Sequence, residues 1–157
     1  MSEAAGNAGW APLPAALDPA AAAILADCAA LGSPRAAAAA IAALRADGES
    51  EILGWREGDD LVAVYGLRKA GLSYEMPWLA VAPAWRERRY GRSALVDALR
   101  RCGRKPMTVQ ADEALKSWFE QVGFRTVGRT PLPQGGYRYR LGWYAPRRPG
   151  EPGHGVH

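Results

Sequence analysis

Seven of the chain's seventeen arginines lie between Arg86 and Arg104, in a segment whose acids are Glu87 and Asp97. Guanidinium groups at this density attract phosphate, so the segment indicates a phosphate-bearing partner: a nucleotide cofactor, a nucleic acid or an anionic surface. The alternative is a solvated, charged helix face with no ligand.

The order of residues around this block indicates a strand, a tight loop and a helix start. Apolar Leu79–Val81 precedes Pro83, and helical spacing begins near Gly91. The first amides of a helix have no carbonyl partner and carry the positive end of its dipole, so they suit a phosphate group. Gly91 would let the ligand approach the backbone closely. A charged helix entrance without a ligand remains the alternative.

The elements around this segment form a layered domain. Two alanine-rich helices are expected between residues 15 and 46, with Asp18-Pro19 and Ser33-Pro34 as their N-caps. Period-two and period-3.6 patterns then predict strands over 51–56, 61–69 and 72–81, a helix from Gly91, a strand over 105–110, a helix capped by Asp112, and strands over 124–130 and 137–144. The order of helices and strands predicts the α/β (α+β layered) class.

Length and composition indicate how many domains the chain forms. A chain of 157 residues with 48% hydrophobic and 23% charged residues fits one globular domain. We expect an irregular lead over residues 1–14 with at most a short edge strand near Trp10, a domain over 15–144, and a disordered tail over 145–157. Cys28 and Cys102 are not spaced as a metal or redox pair, and no metal site is predicted. With no signal peptide or membrane-spanning run visible, the expected location is the cytoplasm.

Two sequence motifs resemble those of the GCN5-related N-acetyltransferases (GNAT). The segment 81–95 is similar to motif A of that family, V-x-P-x-W/Y-R/Q-x-x-G-x-G/A-R/S-x-L, and matches it at Val81, Pro83, Trp85, Arg86, Gly91, Arg92 and Leu95. The segment 112–124 resembles motif B, N-x-x-A-x-x-F-Y-x-x-x-G-F. The resemblance covers residues 51–130 and implies a mixed, mostly antiparallel sheet flanked by helices.

The resemblance also implies a site for acetyl-CoA as co-substrate. The strand before the loop would splay from its neighbour and pair with the pantetheine arm, the loop amides would bind the pyrophosphate, and Asp112 would stand where the family usually has Asn. Pro77, which has no N–H, fits a strand that parts there. The implied cofactor-binding residues are Leu79, Ala80, Val81, Arg86, Glu87, Arg88, Arg89, Tyr90, Gly91, Arg92, Ser93, Asp112 and Phe119.

Two positions depart from the family pattern. Arg89 replaces the first motif glycine, so its side chain either adds charge to the phosphate contact or crowds a loop that needs a positive φ. Phe119 replaces the tyrosine that protonates the departing thiolate in many relatives, and a phenyl ring cannot donate a proton. Either Tyr137 or Tyr139 would stand in, or Phe119 only packs in the core.

Glu75 is the candidate catalytic residue, because the resemblance often has a strand glutamate there that takes a proton from the amine; the alternative is a plain outward-facing carboxylate. The resemblance implies an N-acetyltransferase acting on a primary amine of a small molecule or a protein. A catalytically weak CoA-binding module and a nucleic-acid-binding protein are the alternatives, and the latter lacks interleaved stacking aromatics. No membrane partner is expected. The chain is expected to be a monomer or a homodimer.

Overall fold

The computed structural model describes residues 9–27 and 31–146. These residues form four α-helices and eight strands. In chain order they are β1 (Trp10–Pro12), α1 (Asp18–Leu25), α2 (Pro34–Ala46), β2 (Ser50–Glu57), β3 (Asp60–Ala70), β4 (Ser73–Met76), β5 (Leu79–Val81), α3 (Tyr90–Cys102), β6 (Met107–Ala111), α4 (Glu113–Gln121), β7 (Arg125–Pro131) and β8 (Tyr137–Trp143).

The strands form one sheet in the order β1-β2-β3-β4-β6-β8-β7, with β5 beside β3. Neighbouring strands are antiparallel except β4 and β6, which are parallel and joined through α3. The expected mixed, mostly antiparallel sheet flanked by helices is confirmed.

Each face of the sheet is covered by its own apolar cluster. The helices α3 and α4 pack against one face, where Tyr65, Leu95, Met107 and Leu141 are almost fully buried. Cys102 lies in this cluster, and burial raises the pKa of its thiol to about 12. The helices α1 and α2 cover the β2–β3 side of the opposite face. Among the described residues, no helix covers the β6–β8–β7 side of that face.

The alanine-rich helices begin in two different ways. Ser33 caps α2 as predicted, and its side chain accepts a hydrogen bond from the Ala36 amide at 3.1 Å. The N-cap prediction for Asp18 is wrong. A 3-10 turn over Ala15–Leu17 leads directly into α1, so Asp18 is the first helical residue, and its carboxylate binds Arg45 of α2 at 2.7 Å. A glycine at position 66 lets α2 lie close to β3, because a Cβ there would be 2.5 Å from Leu44 Cδ2 of α2.

The single strand predicted over residues 72–81 is divided in two. The strand β4 pairs with β6 up to the Met76–Val109 pair, whereas β5 pairs only with β3. Pro77 lies at the break, where it has no amide to contribute to a ladder. The prediction of one continuous strand was wrong, and the break leaves a gap between β5 and the end of β6.

The two ends of the domain extend beyond the predicted bounds. The expected edge strand near Trp10 is β1, which pairs with β2. Ala145 is buried, and the carbonyl of Pro146 accepts a 2.7 Å hydrogen bond from Arg104. Three parts of the sequence lie outside the described residues: Cys28, residues 1–8 of the predicted lead, and residues 147–157 of the predicted tail. In the described ranges, no helix combines the length and apolar character needed to cross a membrane.

Candidate active site

The gap between β5 and β6 presents free backbone groups. Trp78 and Ala82 hydrogen-bond to β3 at 3.0 and 2.7 Å. Because the direction of hydrogen bonding alternates along an antiparallel ladder, Ala80 also turns its backbone towards β3. The N–H and C=O groups of Leu79 and Val81 therefore point into the gap. Two of the three strand residues predicted to bind are suitably oriented, and Ala80 is not.

The loop after β5 exposes a row of amides at the start of α3. The first intrahelical hydrogen bond runs from the Ser93 amide to the Arg89 carbonyl at 2.9 Å. Within the described part of the chain, the amides of residues 87–92 have no hydrogen-bond partner. Glu87 and Arg89 adopt left-handed conformations with φ of 64° and 68°. Such alternating backbone forms a concave nest of N–H groups suited to an anion.

These amides border a cavity of about 400 Å³. Its walls are formed by Val81, Arg86, Glu87, Arg89, Tyr90, Gly91, Arg92 and Trp118. Seven of these eight residues are among the predicted cofactor-binding residues, and Trp118 is an addition. The predicted Arg88 does not line the cavity, because its guanidinium lies 5.1 Å from the centre of the Trp85 ring.

Two side-chain contacts fix the start of α3. The hydroxyl of Tyr90 donates to Glu57 at the end of β2 at 2.9 Å, and Trp55 Nε1 donates to the same carboxylate oxygen at 2.8 Å. These bonds from Trp55 and Tyr90 lower the pKa of Glu57. Ser93 Oγ accepts a 2.9 Å hydrogen bond from Trp10 Nε1, which leaves its O–H free to donate. The loop is therefore anchored by β1 and β2.

Part of the basic block has structural rather than ligand-binding partners. Arg86 Nε donates to the Val81 carbonyl at 3.1 Å, and Arg104 binds Pro146. Arg101 binds Asp97 at 2.7 Å. These contacts engage Arg86, Arg101 and Arg104 with other parts of the protein. Arg89 and Arg92 line the cavity.

A second cavity, of about 450 Å³, lies at the point where β4 and β5 part. Glu75 lines it, and one carboxylate oxygen of Glu75 forms an ion pair with Arg68 of β3. Because Glu75 Oε2 has no protein partner in the described ranges, it remains available to accept a proton. The candidate base therefore lies in a cavity beside the gap.

The start of α4 forms one wall of this second cavity. Asp112 caps the helix, accepting a 2.9 Å hydrogen bond from the Leu115 amide. Leu115 is 42% exposed and faces the cavity. Thus both residues line the second cavity.

The aromatic candidates for proton donation have different environments. Phe119 is buried between Trp118 and Phe124, with ring centres 5.0 and 5.2 Å away, and lines neither cavity. The Tyr139 hydroxyl donates to Glu113 at 2.6 Å, and this bond raises the pKa of Tyr139. Tyr137 lines the second cavity, and no hydrogen bond of its hydroxyl occurs in the described residues. This geometry favours core packing for Phe119 and leaves Tyr137 as the available donor.

Sequence reasoning missed three arginines of the second cavity: Arg68, Arg138 and Arg140. The run Tyr137–Arg140 alternates tyrosine and arginine. In a strand, this alternation puts both arginines on one face and both tyrosines on the other. The sequence therefore showed that the two arginines share a face. It could not show that this face borders a cavity, because that depends on the tertiary fold.

The overall fold has many counterparts among solved structures. An aminoglycoside 6'-N-acetyltransferase complexed with coenzyme A superposes with a TM-score of 0.73 at 15% identity, covering 88% of this chain and 98% of that one. A structure described as histone acetyltransferase HPA2 and related acetyltransferase, from Corynebacterium glutamicum, gives 0.73 at 15%, covering 89% and 98%. A GNAT family acetyltransferase from Elizabethkingia anophelis with acetyl-CoA bound gives 0.70 at 14%, covering 88% and 99%.

No protein-family model matches the chain, and no curated protein matches its sequence. The structural likeness covers almost the whole length of both partners in each comparison. The chain has the fold of the GNAT acetyltransferases, and the resemblance inferred from its two motifs is confirmed at the level of fold.

Proposed function

We propose that the protein is an N-acetyltransferase that transfers an acetyl group from acetyl-CoA to a primary amine. The observation that carries the proposal is the parting of β5 from β6 after the Met76–Val109 pair. It leaves both backbone groups of Leu79 and the amide of Val81 without a strand partner, directly before a loop of unpaired amides; the Val81 carbonyl accepts from Arg86. A strand edge followed by an anion-binding loop fits a long amide-bearing arm that ends in a pyrophosphate.

The two cavities suit the two ends of that donor. The pantetheine amides would pair with Leu79 and Val81 in the gap, while the pyrophosphate would bind at the amides of residues 87–92. Arg89 and Arg92 would add positive charge, and the Ser93 hydroxyl would add a donor. The thioester would then lie near the second cavity, which is lined by Glu75 and Tyr137.

The chemistry assigned to these residues balances as a direct transfer. The amine nitrogen bonds to the thioester carbonyl carbon, and the carbon–sulfur bond breaks. Glu75 Oε2 accepts the proton that the amine loses, directly or through water, and Tyr137 donates a proton to the departing sulfur. A thiol has a pKa near ~8.5, so the thiolate also leaves without full protonation.

The test combines binding with turnover. We expect CoA to raise the melting temperature of the full chain, and acetyl-CoA to release free thiol when a panel of primary amines is supplied. Glu75→Gln should lower turnover by about 10²-fold, with CoA binding retained. The matched control is Glu49→Gln, which neutralises an exposed carboxylate outside both cavities.

Each alternative has its own outcome. CoA binding without amine-dependent thiol release would identify a CoA-binding module, the function left open by Phe119. Failure of CoA to bind would contradict the proposal at its first step. Equal effects of Glu75→Gln and Glu49→Gln would remove Glu75 from the chemistry while leaving the transferase intact.

A further inference from the structure

Two arginines of β8 share one face and have no charged partner among residues 9–27 and 31–146. Arg138 and Arg140 are two residues apart, so their side chains leave the same side of the strand roughly 7 Å apart. Both are exposed, and both line the second cavity. Across the described ranges, neither makes an ion pair or a side-chain hydrogen bond. Two like charges held together without a counter-ion attract an anion.

The other charged groups of this cavity have partners within the protein. Arg68 and Glu75 form an ion pair with each other. Asp112 turns its carboxylate to the first turn of α4, where it accepts from the Leu115 amide. The remaining lining residues are uncharged. Three arginines against two carboxylates leave the cavity lining with one net positive charge, and only Arg138 and Arg140 among these arginines are outside the Arg68–Glu75 ion pair.

The surface beside these arginines has room for a ligand. Arg140 lies between Gln110 of β6 and Gly128 of β7 in the sheet. A Cβ built on Gly128 would have no atom within 4 Å, so the space next to Arg140 is open. Gln110 adds a neutral amide on the other side. Guanidinium groups with such space bind carboxylate or phosphate in a bidentate manner.

We infer that the acceptor is a small amine that also carries an anionic group, a carboxylate or a phosphate, which binds Arg138 and Arg140 while the amine faces Glu75. The inference rests on the proposed transferase function and narrows its substrate class. The same charges repel a second ammonium group, so polycationic amines are selected against.

The test compares related amines with and without an anionic group. The pairs are glycine with glycinamide, glutamate with its diamide, and phosphoethanolamine with ethanolamine, each assayed by thiol release from acetyl-CoA. We expect kcat/KM to favour the anionic member about tenfold or more, the scale of one charge-assisted hydrogen bond. Higher salt should reduce this preference.

The variants locate the effect. The double substitution Arg138→Gln with Arg140→Gln should reduce the preference to within about twofold, by raising KM for the anionic amines. Each single substitution, Arg138→Gln or Arg140→Gln, should lower the preference in part. Its matched control is Arg125→Gln, which removes one positive charge from the same hairpin outside both cavities and should keep the preference. Equal rates for both members of every pair, or a preference that survives the double substitution, would overturn the inference.

A separate binding measurement distinguishes this inference from the proposed function. Calorimetry of the CoA-loaded chain should show tighter binding of N-acetylglycine than of N-acetylglycinamide, with the difference lost in the double variant. If no amine releases thiol but this difference is present, the anion site stands and the transferase proposal fails. If thiol is released yet both compounds bind equally, the transferase stands and the anion site fails.

Discussion

Arg89 combines an unfavourable backbone conformation with a favourable position for its charge. In the left-handed region, a residue other than glycine destabilises the folded state by roughly 1–2 kcal/mol. Replacing it with glycine removes this cost, but the more flexible unfolded chain offsets about 0.5–1 kcal/mol of the gain. With φ of 68° at this position, Arg89→Gly should raise the free energy of unfolding by up to about 1 kcal/mol. Urea unfolding of the unbound protein measures this.

The same substitution should weaken CoA binding. One positive charge beside the phosphate cavity is lost, so affinity should fall by up to about fivefold and depend less on salt. Arg88→Gly is the control, because it removes the same charge at a residue of ordinary φ and should lower stability. Tighter CoA binding by Arg89→Gly would show that the arginine crowds the loop.

Gly91 lies where a small side chain would enter the phosphate cavity. A Cβ there would be 3.6 Å from the Trp118 ring, an ordinary contact, and its φ suits any residue. Gly91→Ala should therefore leave stability unchanged or raise it by up to about 1 kcal/mol. Its methyl group should nevertheless lower CoA affinity about tenfold or more, since it narrows the approach to the backbone. Titration calorimetry with CoA measures the affinity.

Gly48→Ala provides the comparison for Gly91, since a Cβ at residue 48 meets nothing within 4 Å and lies outside both cavities. It should change neither stability nor affinity appreciably, whereas Gly91→Val should bind CoA more weakly than Gly91→Ala. Normal affinity in both Gly91 variants would exclude the loop from the binding site.

At the scale of elements, the contact between β2 and the start of α3 depends on pH. Hydrogen bonds from Trp55 and Tyr90 hold the pKa of Glu57 below its ordinary 4.5. A lowered pKa in the folded state means that the carboxylate stabilises the fold above about pH 4.5, and that this contribution is lost as the pH falls through the folded pKa. Glu57→Gln should remove this pH dependence.

Unfolding free energies of the natural chain and Glu57→Gln, measured between about pH 3 and 7, check this expectation. The natural chain should be more stable near neutrality, and the difference should shrink towards acid. Glu49→Gln is the control, because the Glu49 carboxylate has no partner in the described part of the chain. A difference that grows towards acid would contradict the assignment.

Most elements could be predicted because their signals are local. Ser33 and Asp112 cap the helices expected of them, and the basic loop joins a strand to a helix as its composition indicates. The residue pattern alone predicted one strand over 72–81, and only the family resemblance implied a strand that parts at Pro77, since the division depends on β6 pairing with β4 but not with β5. Asp18 failed as a cap because a preceding 3-10 turn and Arg45 determine its position.

At the scale of the molecule, the second cavity collects residues from separate parts of the chain. Glu75 comes from β4, Asp112 from the start of α4, and Arg138 from the last strand. Only the order of the strands in the sheet brings these segments together, because β4 and β8 lie on either side of β6. The loop site lies within one segment and could be inferred from sequence. The second cavity could not, since no local pattern specifies that arrangement.

The last strand also provides the candidate proton donor, so catalysis should depend on β8 rather than on α4. Tyr137→Phe should lower kcat by about 10²–10⁴-fold, the range typical of general acid catalysis, while CoA affinity changes little. Tyr139→Phe is the matched control. It removes the hydrogen bond to Glu113 and should cost about 1 kcal/mol of stability with little effect on kcat.

Phe119→Tyr tests the position that the family resemblance assigns to the acid. The added hydroxyl would enter the cluster formed with Trp118 and Phe124, where burial of an unpaired polar group costs roughly 1–3 kcal/mol. We therefore expect lower stability and no gain in turnover. If Phe119→Tyr instead raised kcat and Tyr137→Phe left it unchanged, the proton donor would be the residue at position 119 of α4, as the family resemblance implies. Steady-state kinetics and urea unfolding of the three variants separate these two arrangements, because a buried hydroxyl changes stability whereas a proton donor changes kcat.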